Sequence, residues 1–216
     1  MCVEKVAETS PGDAANLPRV NRFGRDTAWN LLCEWTQGES LRKHALAVET
    51  CLTACGESEA DRLELSGDAR TAFIGLYSTT GLLHDFDYEK HPSAEEHPFV
   101  GVSELERQGW PVEMRTAILG HAQYSGVPRL SHLAKALFAC DELAGFLTAC
   151  ALVKPTRAIA DVEVHGVLKK LKDKAFARAV SREDIRLGAE ELGVDLDAHI
   201  GFCLQAMKKR AAALGL

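Results

Sequence analysis

From Asp26 to the end of the chain, apolar residues recur at intervals of three and four, and no segment sustains the alternation of a half-buried strand. That period belongs to amphipathic helices, so the spacing predicts an all-α fold. The predicted helices are Asp26–Trp35, Leu41–Cys55, Asp68–Asp85, Pro98–Gln108, Val112–Ala122, Leu130–Val153, Val162–Leu171, Arg182–Leu192 and Leu196–Leu214. Gly56, His91-Pro92, Gly109-Trp110-Pro111 and Gly126-Val127-Pro128 read as breaks between them. Ser181, three residues before Asp184, resembles a capping box, and Gly193 supplies a stop. Residues 1–20, with Ser10-Pro11-Gly12-Asp13 and Pro18, read as an extended arm or tail.

Composition narrows the function classes. The 216 residues are 46% apolar and 26% charged, which suits one sizeable core and excludes a wholly disordered chain. A net charge of −6 provides no global positive field for nucleic acid or an anionic membrane, so small-molecule chemistry fits better. Seven cysteines without a CxxC pair fit reduced thiols, and Cys51 and Cys55, at helical spacing, read as core packing. No apolar leader-like run opens the sequence, and Leu143–Val153 is too short to span a bilayer. A soluble cytoplasmic protein is expected.

The informative anomaly is where ionisable residues fall within apolar stripes. Leu41, Ala45, Val48 and Leu52 form one stripe, and His44 lies on it. Met114 and Ile118 lead to His121 in the same way, and Leu133, Leu137 and Ala144 enclose Asp141. An unpaired buried carboxylate costs several kcal/mol, comparable with the whole stability of a domain, so Asp141 requires a cation or several donors. No basic residue is near it in sequence. The helix before Phe86 closes on His84-Asp85, and neighbours about 100° apart on a helix can share an ion only near its end. His44, His84, Asp85 and Asp141 together make a mixed nitrogen and oxygen set suited to Fe, Mn, Co, Ni or Zn, and less well to Mg.

The order His, His-Asp, Asp, with these intervals, resembles the HD superfamily of metal-dependent phosphohydrolases from about Ser40 to Val153. His97-Pro98-Phe99-Val100-Gly101, His121 at a helix end and Ala139-Cys140-Asp141-Glu142-Leu143 are similar to the matching segments of HDIG-type members. Ala160–Val164 and Lys172–Phe176 extend the likeness to a small branch of HD hydrolases. The chain departs from the common His-Asp-Ile-Gly by reading His84-Asp85-Phe86-Asp87. The resemblance implies a single-domain HD-type helical bundle over residues 21–153, with residues 154–216 as a C-terminal helical extension packed on it.

It also implies two ions, with Fe or Mn favoured. His44, His84, Asp85 and Asp141 would hold the first, and Asp85 would bridge to a second on His97 and His121. The implied activity is hydrolysis of a phosphomonoester or phosphodiester of a small, nucleotide-like substrate by a metal-activated water, with Asp85 catalytic. Lys90 is either a catalytic and substrate-binding cation, as a lysine in this loop is in related proteins, or an exposed loop residue. Asp87 and Glu89 read as partners of a metal-bound His or as solvated, and Lys169–Lys174 as a basic rim or a solvated face. His132, His165 and His199 fall outside the pattern. Two other readings compete: a di-iron HD-type oxygenase, and a non-catalytic nucleotide-sensing HD domain.

Overall fold

A computed structural model describes residues 23–216; the arm expected over residues 1–20 lies outside them. The described residues form helices α1 (Arg25–Trp35), α2 (Glu39–Arg62), α3 (Gly67–Leu83), α4 (Phe99–Gln108), α5 (Val112–His121), α6 (His132–Leu152), α7 (Val164–Leu171), α8 (Arg182–Leu192), α9 (Leu196–Lys209) and α10 (Ala211–Leu214). No strand occurs among them, and no helix is long and apolar enough to cross a membrane.

The arrangement centres on α6, whose Leu133, Leu137, Leu143, Phe146 and Leu147 are fully buried. Helices apolar on most of their circumference belong in an interior, and each buried Leu or Phe contributes roughly 1.5–3 kcal/mol. Helices α2, α5 and α8 all pack against α6, while α9 touches both α2 and α6. The C-terminal helices therefore share one continuous core with α1–α6, through Val167, Ile185, Ile200, Cys203 and Met207.

Helices α2 and α3 share the most extensive contact among the described residues, and two glycines allow their close approach. A Cβ on Gly56 would lie 2.7 Å from Tyr77 Cγ, and one on Gly81 would lie 2.9 Å from Glu49 Cα. Gly56 does not end its helix as its residue type suggests, because α2 continues to Arg62. The residue supplies close approach rather than a stop, and packing against Tyr77 outweighs its low helix propensity. Buried Glu49 accepts from Arg25 Nε at 2.5 Å and from Ser78 Oγ at 2.9 Å, tying α1, α2 and α3 together.

Element starts follow local chemistry. Ser131, Ser181 and Asp195 each accept a backbone N–H three residues on, capping α6, α8 and α9. The start of α2 has only Gly38 as its cap residue, and Glu89 fills the deficit from a distant loop by accepting from the N–H groups of Gln37 and Gly38. Glu89 is therefore a capping carboxylate.

Candidate metal centre

Helix α3 ends at Leu83, and His84 holds the last helical conformation before the chain turns through Asp85, Phe86 and Asp87. The turn lets adjacent residues converge, which a continuous helix forbids. His84 is fully buried, and its Nδ1 lies 2.8 Å from the carbonyl of Gly81. A carbonyl only accepts, so Nδ1 carries the proton and Nε2 presents a lone pair. That Nε2 makes no hydrogen bond, although Asp85 Oδ2 and Asp141 Oδ1 both lie 3.2 Å away. A lone pair facing two carboxylate oxygens calls for a cation between them.

Helix α2 brings His44 to the same place, with Nε2 3.0 Å from Asp141 Oδ1 and 3.8 Å from Asp85 Oδ2. The second oxygen of Asp85 faces the other way. Its Oδ1 lies 3.3 Å from His97 Nε2 and 3.2 Å from His121 Nε2. His97, just ahead of α4, turns its Nδ1 to Asp87 Oδ1 at 2.8 Å, and His121, closing α5, turns its Nδ1 to the carbonyl of Ile118. The ligand atoms of His44, His84, Asp85 and Asp141 lie within 4.8 Å of one another, as do those of Asp85, His97 and His121. The six residues thus form two groups able to hold a metal ion, with Asp85 common to both.

Asp87 is not the solvated loop carboxylate that its sequence surroundings favour. It is buried, and its Oδ2 accepts from the Gly101 N–H at 2.7 Å while Oδ1 engages His97. A carboxylate behind a ligand imidazole fixes the ring's orientation and raises its basicity.

Electrostatics describe the same demand. Burial opposes a charge on His84, but Asp85 and Asp141 outweigh it and hold the imidazole well above its usual value. His97 is likewise held at about 9 by Asp85 and Asp87 against the cost of burial. Burial works against ionised Asp85 and Asp141 too, yet the imidazoles keep both carboxyls well below the usual range. The carboxylates favour a proton on His84 and on His97, so an ion binding to these imidazoles would compete with it.

A cavity of about 460 Å³ opens over the cluster, lined by His44, Asp85, His97, His121 and Asp141. Tyr88, Gln123, Tyr124, Glu142 and Asp184 line it as well. Tyr88 stands edge-on to His97 at 5.2 Å, and the Tyr124 hydroxyl donates to the His97 carbonyl at 3.0 Å. Glu142 accepts from the Ser181 N–H at 3.1 Å, and its carboxyl is pushed up to about 7 by burial first and by Asp141 second.

The chain matches no family model, no curated protein and no solved structure.

Lys90 does not join this cavity. Its ammonium lies 4.6 Å from the centre of the Trp35 ring and donates to the Glu34 carbonyl at 3.3 Å, at the far end of α1. Cation–π attraction and a carbonyl at a helix C-terminus account for that position. The lysines of Lys169–Lys174 are also absent from the lining, and Lys170 packs over Phe176 at 4.1 Å.

Sequence reasoning missed a further group, Cys140, His199 and Cys203, which lies in the core between α6 and α9 and could also hold an ion. The i, i+4 spacing of His199 and Cys203 was its only signal. His199 Nε2 lies 3.1 Å from the carbonyl of Ala139, a bond that explains its burial without a metal. Glu142, Asp184 and Tyr124 do not stand out as site residues either, because neither spacing nor patterning distinguishes them from ordinary surface positions.

Proposed function

We propose that the protein is a cytoplasmic, metal-dependent phosphohydrolase of the HD type, acting on an ester of a small phosphorylated molecule. The observation that supports this most is the divided carboxylate of Asp85, one oxygen toward His84 and His44 and the other toward His97 and His121. His44, His84, Asp85 and Asp141 would hold one ion, of Fe or Mn by preference, and Asp85, His97 and His121 a second. Bound ions would supply positive charge to a phosphate and lower the pKa of a coordinated water.

The rest is the work of the chain. His84, His97 and His121 each commit Nδ1 as a donor, so their Nε2 atoms are preset to accept a cation. Asp87 and the α4 backbone hold His97 in place, and Tyr88 and Tyr124 wall the cavity beside it. The cytoplasmic assignment draws on the six described cysteines, all free thiols.

The test is metal analysis of protein purified without chelators, followed by phosphate release from a panel of phosphorylated metabolites. Asp85→Asn keeps the shape but removes a negative charge between the two groups, so hydrolysis should fall by orders of magnitude with metal saturating. Wild-type turnover in that variant would refute the reading. Oxygen activation by an iron pair on the same residues is the second reading, prompted by Tyr88 edge-on to His97. Oxygen uptake by the reduced iron form, without phosphate release, would select it.

A further inference from the structure

Building on the phosphoester reading, we infer that the substrate is a phosphorylated amine, with Glu142 and Asp184 receiving its ammonium group. Among the described residues, no lysine or arginine lines the cavity. Polyphosphates and nucleotides are held by such cations in addition to metal ions, and none of the described ones lines this cavity.

The lining instead carries surplus negative charge. Glu142 takes one backbone N–H, from Ser181, and Asp184 one side-chain amide, from Gln123. Neither carboxylate forms an ion pair with any described Lys, Arg or His side chain. The carboxyl groups of Asp85, Asp87, Asp141, Glu142 and Asp184, in and around this cavity, outnumber the four positive charges that two divalent ions would bring. A phosphate dianion enlarges that excess, and each further phosphate enlarges it again. An ammonium on the same substrate reduces it. Partly buried carboxylates without a cation are costly in the free protein, so a ligand that supplies one gains that energy on binding. Tyr88 and Tyr124 also line the cavity, and aromatic rings attract an ammonium and have no matching attraction for an anion.

The reaction would be ordinary hydrolysis. Water adds to phosphorus as the P–O bond to the alcohol breaks, the alcohol oxygen takes a proton from that water, and the amino alcohol and inorganic phosphate leave.

Matched pairs of esters test this on the metal-loaded wild-type protein. Glucosamine 6-phosphate is compared with its N-acetyl counterpart, and 2-aminoethyl phosphate with ethyl phosphate, with ATP alongside. Because only the amine can donate a charge-assisted hydrogen bond to these carboxylates, kcat/KM should be about ten- to a hundredfold higher for each amine, carried mainly by KM. Glu142→Gln and Asp184→Asn should bring each ratio toward one. Independently of turnover, the free amino sugar should protect chelated wild-type protein against thermal unfolding more than its N-acetyl form does. If the acetylated ester or ATP is cleaved as well as the amine esters, the substrate assignment is overturned while phosphohydrolysis stands. If no ester is cleaved by fully metallated protein, the phosphohydrolase reading falls and this inference with it.

Discussion

Replacing Asp141 with alanine tests the metal centre through folding rather than catalysis. Its Oδ1 is 3.0 Å from His44 Nε2 and 3.2 Å from His84 Nε2, and it is one of only two carboxylates in the first group. An ion that binds only the folded state adds about 2.7 kcal/mol when its free concentration is a hundred times its dissociation constant. In a chain of this size each kcal/mol moves the melting temperature by roughly 2–4 °C, so chelating one such ion should lower it by roughly 5–11 °C. Calorimetric melting of wild type and Asp141→Ala, each with and without chelator and each with its metal content measured, isolates the ion's share. The wild type should show the full chelator-dependent drop, and the variant should lack the part due to the first ion. Wild-type metal content in the variant, together with an unchanged chelator shift, would refute the assignment of Asp141 as a ligand.

Asp87→Asn should weaken the second ion about 10–100-fold and spare the first, because Asp87 bonds His97 but neither His44 nor His84. Competition with a graded series of chelators reads this directly, and equal affinity at both positions would count against it. Lys90→Ala should leave metal content and hydrolysis near wild type, since its ammonium is spent on Trp35 and Glu34; a large loss of activity at normal metal content would return Lys90 to the substrate. His199 is pushed below its usual value by burial, with the Ala139 carbonyl opposing. Its unfolded form therefore takes up a proton more readily, so its contribution to stability is intact above about pH 6.5 and lost as the pH falls below it. Denaturant midpoints at about pH 7.5 and about pH 5.5 should differ less in His199→Gln than in wild type, and equal differences would exclude His199 as the cause.

What could be read in advance depended on the range of the interaction. The three-and-four spacing that placed α5, α6 and α8 is local, and the observed bounds coincide with the expected ones for α8 and differ by one or two residues for α5 and α6. His44, His121 and Asp141 were exposed as anomalies by that same periodicity, since each is an ionisable group on an apolar stripe. Gly56 misled because a glycine that stops a helix and one that admits Tyr77 look alike until the partner is in place. Asp87 and Glu89 sit two residues apart in one polar loop and carry the same charge. One is buried behind His97, and the other caps a helix from 51 residues away, at Gly38. Nothing within the loop could assign those fates, because both partners come from elsewhere in the fold. Lys90 illustrates the converse, a lysine close in sequence to Asp85 whose side chain is taken by an aromatic ring on α1.

His44 and Asp141 meet across 97 residues of chain, on helices that touch only after α2 has docked on α6. A binding site assembled from such distant segments has no counterpart in a partly folded chain, and closing that long a loop comes late on the way to the native state. An ion held there stabilises the native state without lowering the barrier to reaching it. Its effect falls on the rate of leaving: a gain of about 2.7 kcal/mol confined to the native state slows unfolding about a hundredfold and leaves the folding rate unchanged. Metal occupancy would then set how long each molecule persists once folded, and a cell short of the ion would lose the protein through faster opening rather than slower assembly.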